Sequence, residues 1–482
     1  MQRDVIQRVL GYLLCLFSST MLPPAIVAWV FKEDVISVFL WSGLVIFIVG
    51  TSLLVPVRRV NRPLRLRDGY VIVVLFWVVL SIAGALPFMM FAYPSMSLAQ
   101  ALFESFSGLT TTGATVIVGL DYLPKGVLFY RQELQWLGGM GIIVLAVAVL
   151  PMLGIGGMQL YQAETSGPHK DSKLTPRIAQ TAKALWLIYL ALTVACGLAY
   201  WLAGMSVFDA VGHAFSTVAI GGFSTHDDSI GFFNSATIES IAIVFMILAG
   251  VNFSLHFLAV RGRGFKPYLD DAEFIGYIYF LLGAATVAVI GLIISGQYAA
   301  LDSLRHGVFH VISIATTTGF TTTDFYNWPG SIPFLLLCAS FVGGCAGSTG
   351  GGMKVIRVLL LFRQGMRELN QLVHPRAKLV VKVGHKAIPP RVQEVVWGFF
   401  AAYVVVFVVF IAILLSAGID HVTAFSAVAA SMNNLGPGLN DVGANYAELG
   451  DFPLLVLSVA MLMGRLEIFT LLVLFTPAFW RR

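Results

Sequence analysis

Four polar runs that end in a glycine recur along the chain, and each follows an apolar stretch of about 10–13 residues. The segments read QALFESFSGLTTTGATV (100–116), DAVGHAFSTVAIGGFST (209–225), HGVFHVISIATTTGFTT (306–322) and TAFSAVAASMNNLGPGL (423–439). The glycines that align are Gly113, Gly222, Gly319 and Gly436. Six residues before them stand Ser107, Ser216, Ser313 and Ala430. Matched positions in four segments indicate four copies of one structural unit.

Main-chain carbonyl groups are the chemistry that these runs offer. Rings of carbonyl oxygens replace the water shell of a dehydrated cation, and glycine allows the backbone angles that turn successive carbonyls inward. The negative end of each preceding half-helix would point at the same ion. The predicted cation ligands are the carbonyls of Thr110, Thr111, Thr112, Gly113, Ala219, Ile220, Gly221, Gly222, Thr316, Thr317, Thr318, Gly319, Asn433, Asn434, Leu435 and Gly436.

A single Thr-Thr-Thr-Gly run is weak support for such a filter, but four at matching positions are strong. The alternative is four packing loops in a solute carrier. None of the runs contains Gly-Tyr-Gly. We therefore expect fewer coordination rings than in tetrameric potassium channels, and looser selectivity over sodium.

A glycine-rich run interrupts the apolar segment 331–362. It consists of Gly343, Gly344, Cys345, Ala346, Gly347, Ser348, Thr349, Gly350, Gly351 and Gly352, and Lys354 follows closely. Because each interior glycine costs a helix about 1 kcal/mol relative to alanine, this run predicts a mobile loop that obstructs the pathway below the filter. A passive seam of small residues is the alternative. A phosphate-binding loop is disfavoured, since neither Ser nor Thr follows Lys354 and no strand precedes the run.

Arg465 is the second anomaly, because it falls near the middle of the apolar segment 452–478. A mid-membrane arginine costs at least about 2.5–3.5 kcal/mol and should face the protein interior. We predict a cation beneath the filter that repels or gates the ion. The alternative is a purely structural arginine that binds buried carbonyls. Glu467 lies two residues away, on another helix face, and is not an obvious partner.

Titratable residues on the half-helices leave a second mechanism open. His213, His310 and Glu104 stand nine residues before their glycines, and a proton-coupled symporter would need such a group in its pathway. A buried, hydrogen-bonded histidine is the simpler interpretation. Glu104 is expected to anchor the filter from behind.

The composition sets the class of protein in which these units are placed. Of 482 residues, 58% are hydrophobic and 11% are charged, against roughly 25% charged in soluble domains. Apolar runs this long exclude a soluble globule and a barrel of alternating strands. No nucleophile–base pair or metal-ligand cluster is apparent, so we expect no enzyme and no bound cofactor. The charge balance of +5 indicates a membrane orientation here rather than binding to nucleic acid.

Apolar segments long enough to cross a bilayer, about 20 residues each, predict ten spans. They cover 7–31, 35–57, 69–93, 127–152, 179–204, 236–260, 274–296, 331–362, 394–417 and 452–478. An even number puts both termini on one side, and that side carries 25 of the 30 Lys and Arg residues. Since basic loops stay inside, both termini are predicted to be cytoplasmic.

The predicted fold class is an all-α polytopic membrane protein: two N-terminal helices plus four pseudo-symmetric helix–pore loop–helix repeats around one ion pore. Non-helical backbone at membrane depth is tolerated only where it is buried or lines a cavity. The predicted units are an N-terminal hairpin (1–62) and pore repeats at 63–165, 166–265, 266–372 and 373–482, with the gating loop in the third.

These residues resemble the bacterial TrkH/KtrB superfamily of potassium transporters over nearly the whole chain. The motifs that carry the resemblance are SGLTTTGATV, FSTVAIGGFST, TTTGF, SMNNLGPG, GGCAGSTGGGMK and MGRLEIFT. The extra N-terminal hairpin is closer to the TrkH branch than to KtrB. The resemblance implies potassium (K⁺) uptake, a gating role for the glycine run and for Arg465, and a homodimer in the lipid of a bacterial inner membrane.

The resemblance also implies a partner, TrkA, which is a cytosolic ring of nucleotide-binding domains that responds to NAD(H) and to ATP or ADP. Nucleotide would thus act only through that partner. The basic segment 363–393 is a candidate docking site, although a plain cytoplasmic loop explains it equally well. The function expected is potassium uptake through a gated pore with a selectivity filter, and the alternative is symport of K⁺ or Na⁺ with H⁺ or Na⁺.

Overall fold

The computed structural model describes residues 1–59, 65–144, 178–377, 379–384 and 386–481. Its helices are α1 (Arg3–Ser19), α2 (Leu22–Val30), α3 (Ile36–Leu54), α4 (Leu66–Met90), α5 (Leu98–Leu109), α6 (Lys125–Val144), α7 (Ile178–Leu202), α8 (Val207–Ala219), α9 (Ala236–Ala249), α10 (Phe253–Leu258), α11 (Lys266–Leu269), α12 (Ala272–Ser295), α13 (Ala300–Ala315), α14 (Ile332–Val342), α15 (Val355–Val373), α16 (Pro390–Ser416), α17 (His421–Met432), α18 (Asp451–Arg465), α19 (Phe469–Leu472) and α20 (Pro477–Trp480). Short 3₁₀ or π turns lie at Val55–Val57, Leu120–Tyr122, Ser229–Phe233, Ala259–Arg263, Phe325–Asn327, Asn440–Val442 and Val473–Phe475. The strands β1 (Lys382–Val383) and β2 (Lys386–Ala387) pair antiparallel.

Long apolar helices dominate the described residues. Six of them are long and apolar enough to cross a membrane, and two bent helix pairs bring the number to eight. The predicted span 127–152 corresponds to α6, and its last residues lie outside the described ranges. Four of the 25 basic residues predicted on the side of the termini also lie outside them: Arg62, Lys170, Lys173 and Arg177. The boundaries predicted for the five units remain predictions.

The N-terminal hairpin packs through small residues. Cβ atoms added at Gly11 of α1 or Gly50 of α3 would lie 2.9 Å from main-chain atoms of the opposite helix. Close backbone approach at glycine is how helices associate in lipid, where dispersion contacts replace the hydrophobic effect. The hairpin then packs against α4 and α6, which carry the first repeat.

Four short helices, the half-helices α5, α8, α13 and α17, stand apart from the spans. They have 12, 13, 16 and 12 residues, which at about 1.5 Å per residue is too short for a core about 30 Å thick. Ser97, Ser206 and Asp420 cap the first turns of α5, α8 and α17. Hydrogen bonds from Thr423 lower the pKa of the Asp420 carboxyl below its ordinary value.

Two predicted spans are broken rather than continuous, which corrects the sequence interpretation. In 236–260, α9 and α10 meet at 92°, and in 452–478, α18 and α19 meet at 105°. The second break occurs where Glu467 and Ile468 take left-handed backbone angles. Segment 331–362 likewise consists of α14 and α15 separated by the glycine run. Hydropathy gives the length of an apolar segment but not its bends.

Candidate functional site

Each half-helix ends in the same hydrogen bond. In every case a main-chain N–H group donates to the carbonyl five residues earlier, with an N···O distance of 2.8 Å. The donors are Thr112, Gly221, Thr318 and Leu435, and the acceptors are Ser107, Ser216, Ser313 and Ala430. These acceptors are the four residues that the sequence alignment placed six before the glycine. We call the four runs that follow the half-helices the filter segments: 110–113, 219–222, 316–319 and 433–436. Their identical ends support the four-fold repeat.

Left-handed backbone alternates along every filter segment. The final glycines have φ between 82° and 99°, and the residues two positions earlier, Thr111, Ile220, Thr317 and Asn434, have φ between 53° and 69°. A β-branched side chain at positive φ is strained and persists only where its surroundings enforce it. Such alternation of φ is absent from regular helices and strands, whose residues all have negative φ. The sequence interpretation anticipated this backbone only at the glycines.

The four filter segments form a closed ring in chain order. A Cβ atom added at Gly113 would lie 2.1 Å from the carbonyl oxygen of Gly221, and one at Gly222 would lie 2.1 Å from that of Thr318. The series continues from Gly319 to Leu435 at 2.2 Å, and from Gly436 back to Thr112 at 2.7 Å. Each glycine therefore touches the next segment, and the last touches the first. No side chain fits at these four glycine positions.

Polar side chains tie the segments to each other and to the helices behind them. The Asn434 amide nitrogen donates to Thr112 Oγ1 at 3.0 Å and so joins the fourth segment to the first. Gln135 of α6 holds the second segment, since its Nε2 donates to the Gly221 carbonyl and its Oε1 accepts from Phe223 N–H. The Tyr446 hydroxyl donates to the Gly436 carbonyl at 2.8 Å. A carbonyl oxygen has two lone pairs, so these bonds leave room for a second partner.

A buried ion pair supports the first two segments from behind. Glu104 of α5 accepts from Arg131 Nε at 2.8 Å and from Val116 N–H at 3.0 Å, and neither side chain is exposed. Arg131 also donates to Thr115 Oγ1 and to the Ser224 carbonyl, just beyond the two segments. The predicted anchor is therefore a pair, and Arg131 was missed although a charge inside an apolar segment is a recognisable signal.

Replacing Glu104 by glutamine should destabilise the protein strongly. Removing one partner of a buried pair costs about 3–5 kcal/mol, because the other charge stays buried without compensation. We expect a clearly lower thermal unfolding midpoint for Glu104→Gln in detergent. The matched control is Glu368→Gln, which breaks the exposed pair with Arg367 and should cost about 0–1 kcal/mol. Equal midpoints for the two variants would contradict the anchoring role.

The two half-helix histidines have protein partners at both ring nitrogens. His213 contacts the Asp209 carbonyl at 2.8 Å and Ser224 Oγ at 2.9 Å. His310 Nδ1 contacts the His306 carbonyl at 2.9 Å, and its Nε2 contacts the Thr323 carbonyl at 3.1 Å and the Thr322 N–H group at 3.4 Å. Both are buried. These bonds support the structural interpretation, in which the histidines brace the loop that follows each filter segment.

The glycine loop, Gly343–Gly352, lies against the half-helix ends and the first residues of the filter segments. Thr349 Oγ1 donates to the Val218 carbonyl at 3.0 Å, Gly351 N–H to Thr317 Oγ1 at 2.7 Å, and Gly352 N–H to the Asn433 carbonyl at 3.1 Å. A Cβ atom at Gly351 would lie 1.9 Å from that Asn433 oxygen. The loop thus contacts repeats two, three and four near the starts of their filter segments.

The break in 236–260 accommodates this loop. Cys345 N–H donates to the Gly250 carbonyl at 2.8 Å, and Phe253 N–H donates to the Gly347 carbonyl at 3.1 Å. The main chain freed between α9 and α10 is therefore satisfied by the loop, as buried backbone requires. Ala346 itself donates to Glu273 Oε1 at 2.7 Å, and Ile356 N–H donates to the same oxygen at 3.1 Å. Lys354 Nζ donates to the Gly350 carbonyl.

Arg465 lies at the end of α18 and bridges the loop to the first repeat. Its Nη1 donates to the Thr349 carbonyl at 3.1 Å and its Nη2 to the Gly138 carbonyl of α6 at 3.3 Å. The side chain is 5% exposed and its guanidinium carbon is 5.6 Å from the Trp77 ring centroid. Glu467 does not pair with Arg465 but accepts from Arg357 Nη2 at 2.5 Å, in agreement with the sequence interpretation.

The structure thus brings together all four predicted filter segments, the glycine loop and Arg465. Glu273, Gln135 and Arg357 join them and were not predicted. Within the described ranges, no group of three or more His, Cys, Asp or Glu residues is arranged to hold a metal ion. The polar groups of the filter segments are main-chain amides and carbonyls, threonine hydroxyls and the side-chain amides of Asn433 and Asn434.

Comparison with known proteins agrees with this architecture. The family model TrkH, described as cation transport protein, matches residues 35–482. The chain is 56% identical over 484 residues to the Trk system potassium uptake protein TrkH of Vibrio parahaemolyticus, and 53% identical over 487 residues to that of Halomonas elongata, with 100% of each chain covered. The TrkH protein of Escherichia coli is 53% identical over 477 residues, with 99% of each covered.

A solved structure gives the same result for the fold. The crystal structure of the potassium transporter TrkH from Vibrio parahaemolyticus superposes with a TM-score of 0.93, at 54% identity and with 100% of both chains covered. The predicted family and the predicted all-helical, multi-pass fold class are confirmed. The ligand and gating assignments of single residues remain predictions.

Proposed function

This chain belongs to the TrkH family of cation transport proteins, and we propose that it takes up potassium across a bacterial inner membrane. Its relatives are named potassium uptake proteins. The closed ring of filter segments is the observation that most directly supports this function in the chain itself. A Cβ atom added at any of the four glycines would lie 2.1–2.7 Å from a carbonyl oxygen of the next segment. Only main-chain atoms therefore fit where neighbouring segments meet at these glycines.

We propose that the carbonyls of the filter segments take over the hydration shell of K⁺ as it enters. The half-helix carboxyl ends add a negative potential at the same place. Because strained backbone at Thr111, Ile220, Thr317 and Asn434 is held by buried hydrogen bonds, the ring cannot easily contract around a smaller ion. This rigidity favours K⁺ over Na⁺, although the four segments share glycine at only one position.

The glycine loop and Arg465 form the proposed gate. The loop closes the inner end of the ring through contacts with Val218, Thr317 and Asn433, and Arg465 places a positive charge beside it. Opening requires these bonds to break together. An input from the cytoplasmic side that moves the loop therefore controls the potassium flux. Glycine makes such movement possible, because its backbone has no side chain to reposition.

The input is proposed to come from a TrkA-type ring that senses NAD(H), ATP or ADP, bound to a homodimer of this chain. Helix α15 runs from the glycine loop into the basic segment, and its exposed side chains include Phe362, Met366, Leu369 and Val373. An apolar stripe at helical spacing next to basic residues suits a protein partner. The same helix would transmit the partner's movement to the loop.

Flux measurements on the purified chain in proteoliposomes test this function. We expect K⁺ uptake that follows the potassium gradient and the membrane voltage and is unaffected by an imposed pH gradient. A requirement for a proton or sodium gradient would instead establish the alternative, a coupled symporter. The partners found for both ring nitrogens of His213 and His310 favour the uncoupled pore.

Replacing Glu273 by alanine should raise the resting flux about tenfold. The carboxylate joins the loop residue Ala346 to Ile356 in the first turn of α15 through two N–H donors, and each bond to a charged group contributes about 1.5–3 kcal/mol. A net loss of about 1.4 kcal/mol from the closed state gives a tenfold change in population. Glu273→Gln keeps an acceptor oxygen and should remain close to the native flux. Lower flux in folded Glu273→Ala would refute this role of the loop.

A further inference from the structure

A groove on the lateral surface lies between α6, α7 and the half-helix α8. Its cavity volume is about 520 Å³, within the range of about 300–1,000 Å³ typical of ligand sites. Residues that shape it are Trp136, Gly197, Trp201, Val211, Ala214 and Phe215. Among the described residues that line the groove, Thr193 has the one hydroxyl group. This hydroxyl accepts from Trp136 Nε1 and donates to the Tyr189 carbonyl.

The groove faces the hydrocarbon of the membrane. Helix α7 contains the span Ala182–Leu202, and its Val194, Leu198 and Trp201 are about half exposed along the groove. Small residues produce the depression, since a Cβ atom at Gly197 would still be 3.5 Å from the Ala214 Cβ. An apolar depression in contact with lipid gains dispersion energy only when hydrocarbon fills it.

A basic residue, Lys125, lies beside the first turn of α8 but is not itself part of the groove lining. The Lys125 ammonium lies 4.1 Å from the ring centroid of Phe31 and 5.2 Å from that of Phe208, and Phe208 sits between the groove residues Val207 and Val211. Two carboxylates lie nearby: that of Glu33 accepts from the N–H groups of Lys125 and Gly126, and that of Asp209 accepts from Ser206 and Thr225. In the predicted topology this is the outer interface, where aromatic and basic side chains meet lipid headgroups.

We propose that this groove binds one acyl chain of an outer-leaflet phospholipid with an anionic headgroup, whose phosphate lies at Lys125. The wholly apolar lining selects the chain, and the lysine at the rim selects the charge. Two adjacent residues connect the site to the filter. Trp136 stacks on Phe215 of α8 with centroids 5.0 Å apart, and Gln135 holds Gly221. A bound chain therefore supports the half-helix of the second repeat.

Native mass spectrometry of the detergent-purified chain with added phosphatidylglycerol tests the site. We expect one phosphatidylglycerol to bind at least tenfold more tightly than further copies. Gly197→Leu fills the groove and should abolish this first binding step. Its matched control, Gly283→Leu, adds the same side chain to the span α12, where a Cβ atom has no neighbour within 4 Å, and should bind as the native chain does.

Lys125→Gln leaves the groove's shape unchanged and supplies an independent test. It should weaken phosphatidylglycerol binding several-fold and leave the binding of zwitterionic phosphatidylcholine unaltered. Equal first-step binding by the native chain and folded Gly197→Leu would overturn the proposal. So would a protein dimer that Gly197→Leu abolishes without any change in bound lipid, since the groove would then be an interface between copies. Because the readout is bound lipid, failure here is distinct from failure of the transport proposal.

Discussion

Replacing Gly113 by serine is expected to reduce potassium flux about 100-fold, the largest single effect in this protein. The new Cβ atom would lie 2.1 Å from the Gly221 carbonyl oxygen, and φ of 82° is unfavourable for a side chain. Either the first segment moves or the second does, and the ring between repeats one and two opens. A permeation barrier that is higher by about 2.7 kcal/mol gives a 100-fold reduction. Displacement of the carbonyl groups in the ring is expected to raise the barrier by this amount.

Gly119→Ser is the matched control for this prediction. Gly119 has nearly the same φ, 75°, but a Cβ atom there would meet nothing closer than 3.8 Å. It therefore reproduces the backbone strain without the collision, and its flux should stay within about twofold of native. Both variants are compared in proteoliposomes at equal protein content. Native flux and native K⁺ over Na⁺ preference in Gly113→Ser would remove the filter assignment.

Replacing Arg465 by alanine should raise the resting potassium flux at least tenfold. The guanidinium joins the Thr349 carbonyl of the loop to the Gly138 carbonyl of α6, and it places a buried charge beneath the ring. Loss of both bonds, at about 1.5–3 kcal/mol each for a charged donor, weakens the closed loop. Loss of the charge also removes the repulsion that an entering cation meets.

Arg465→Lys separates these two contributions. Lysine keeps the charge but lacks the planar fork that reaches two carbonyls, so an intermediate flux is expected. Retained cooperative thermal unfolding of both variants shows that the bundle is intact. Reduced or unchanged flux in folded Arg465→Ala would mean that the arginine is a structural element and not part of a gate.

The sequence predicted the repeated unit because its physical cause is local. An apolar stretch of about 10–13 residues followed by a glycine-bearing run is visible in residues 100–113 and in their three counterparts. Amphipathic segments too short to span have few alternatives in a membrane. The alignment on glycine also selected Ser107, Ser216, Ser313 and Ala430, whose carbonyls close the half-helices.

The bends could not be predicted, because their cause is tertiary. At the break at 250–252, the unpaired main-chain groups form hydrogen bonds with Cys345 and Gly347, nearly a hundred residues later. The composition of the segment does not indicate that pairing. Left-handed Thr111, Ile220 and Thr317 contradict local preference in the same way. Such conflicts between local propensity and global structure concentrate at functional sites.

Supporting side chains were missed for a related reason. Gln135 and Arg131 lie in an apolar segment that reads as a plain span, and only the fold brings them to Gly221 and Glu104. Their charge or polarity inside a span was the available signal. Glu273 stands at the start of α12, where an acidic residue has an ordinary explanation as a partner of the helix dipole.

Anomalous diffraction from crystals of the protein grown with rubidium or thallium would show whether the filter segments bind the transported ion. Both ions substitute for K⁺ and scatter strongly. We expect an anomalous peak among Gly113, Gly222, Gly319 and Gly436, with the peak lost in Gly113→Ser and kept in Gly119→Ser. Ions bound only elsewhere between the helices, with the ring empty in the native chain, would contradict it.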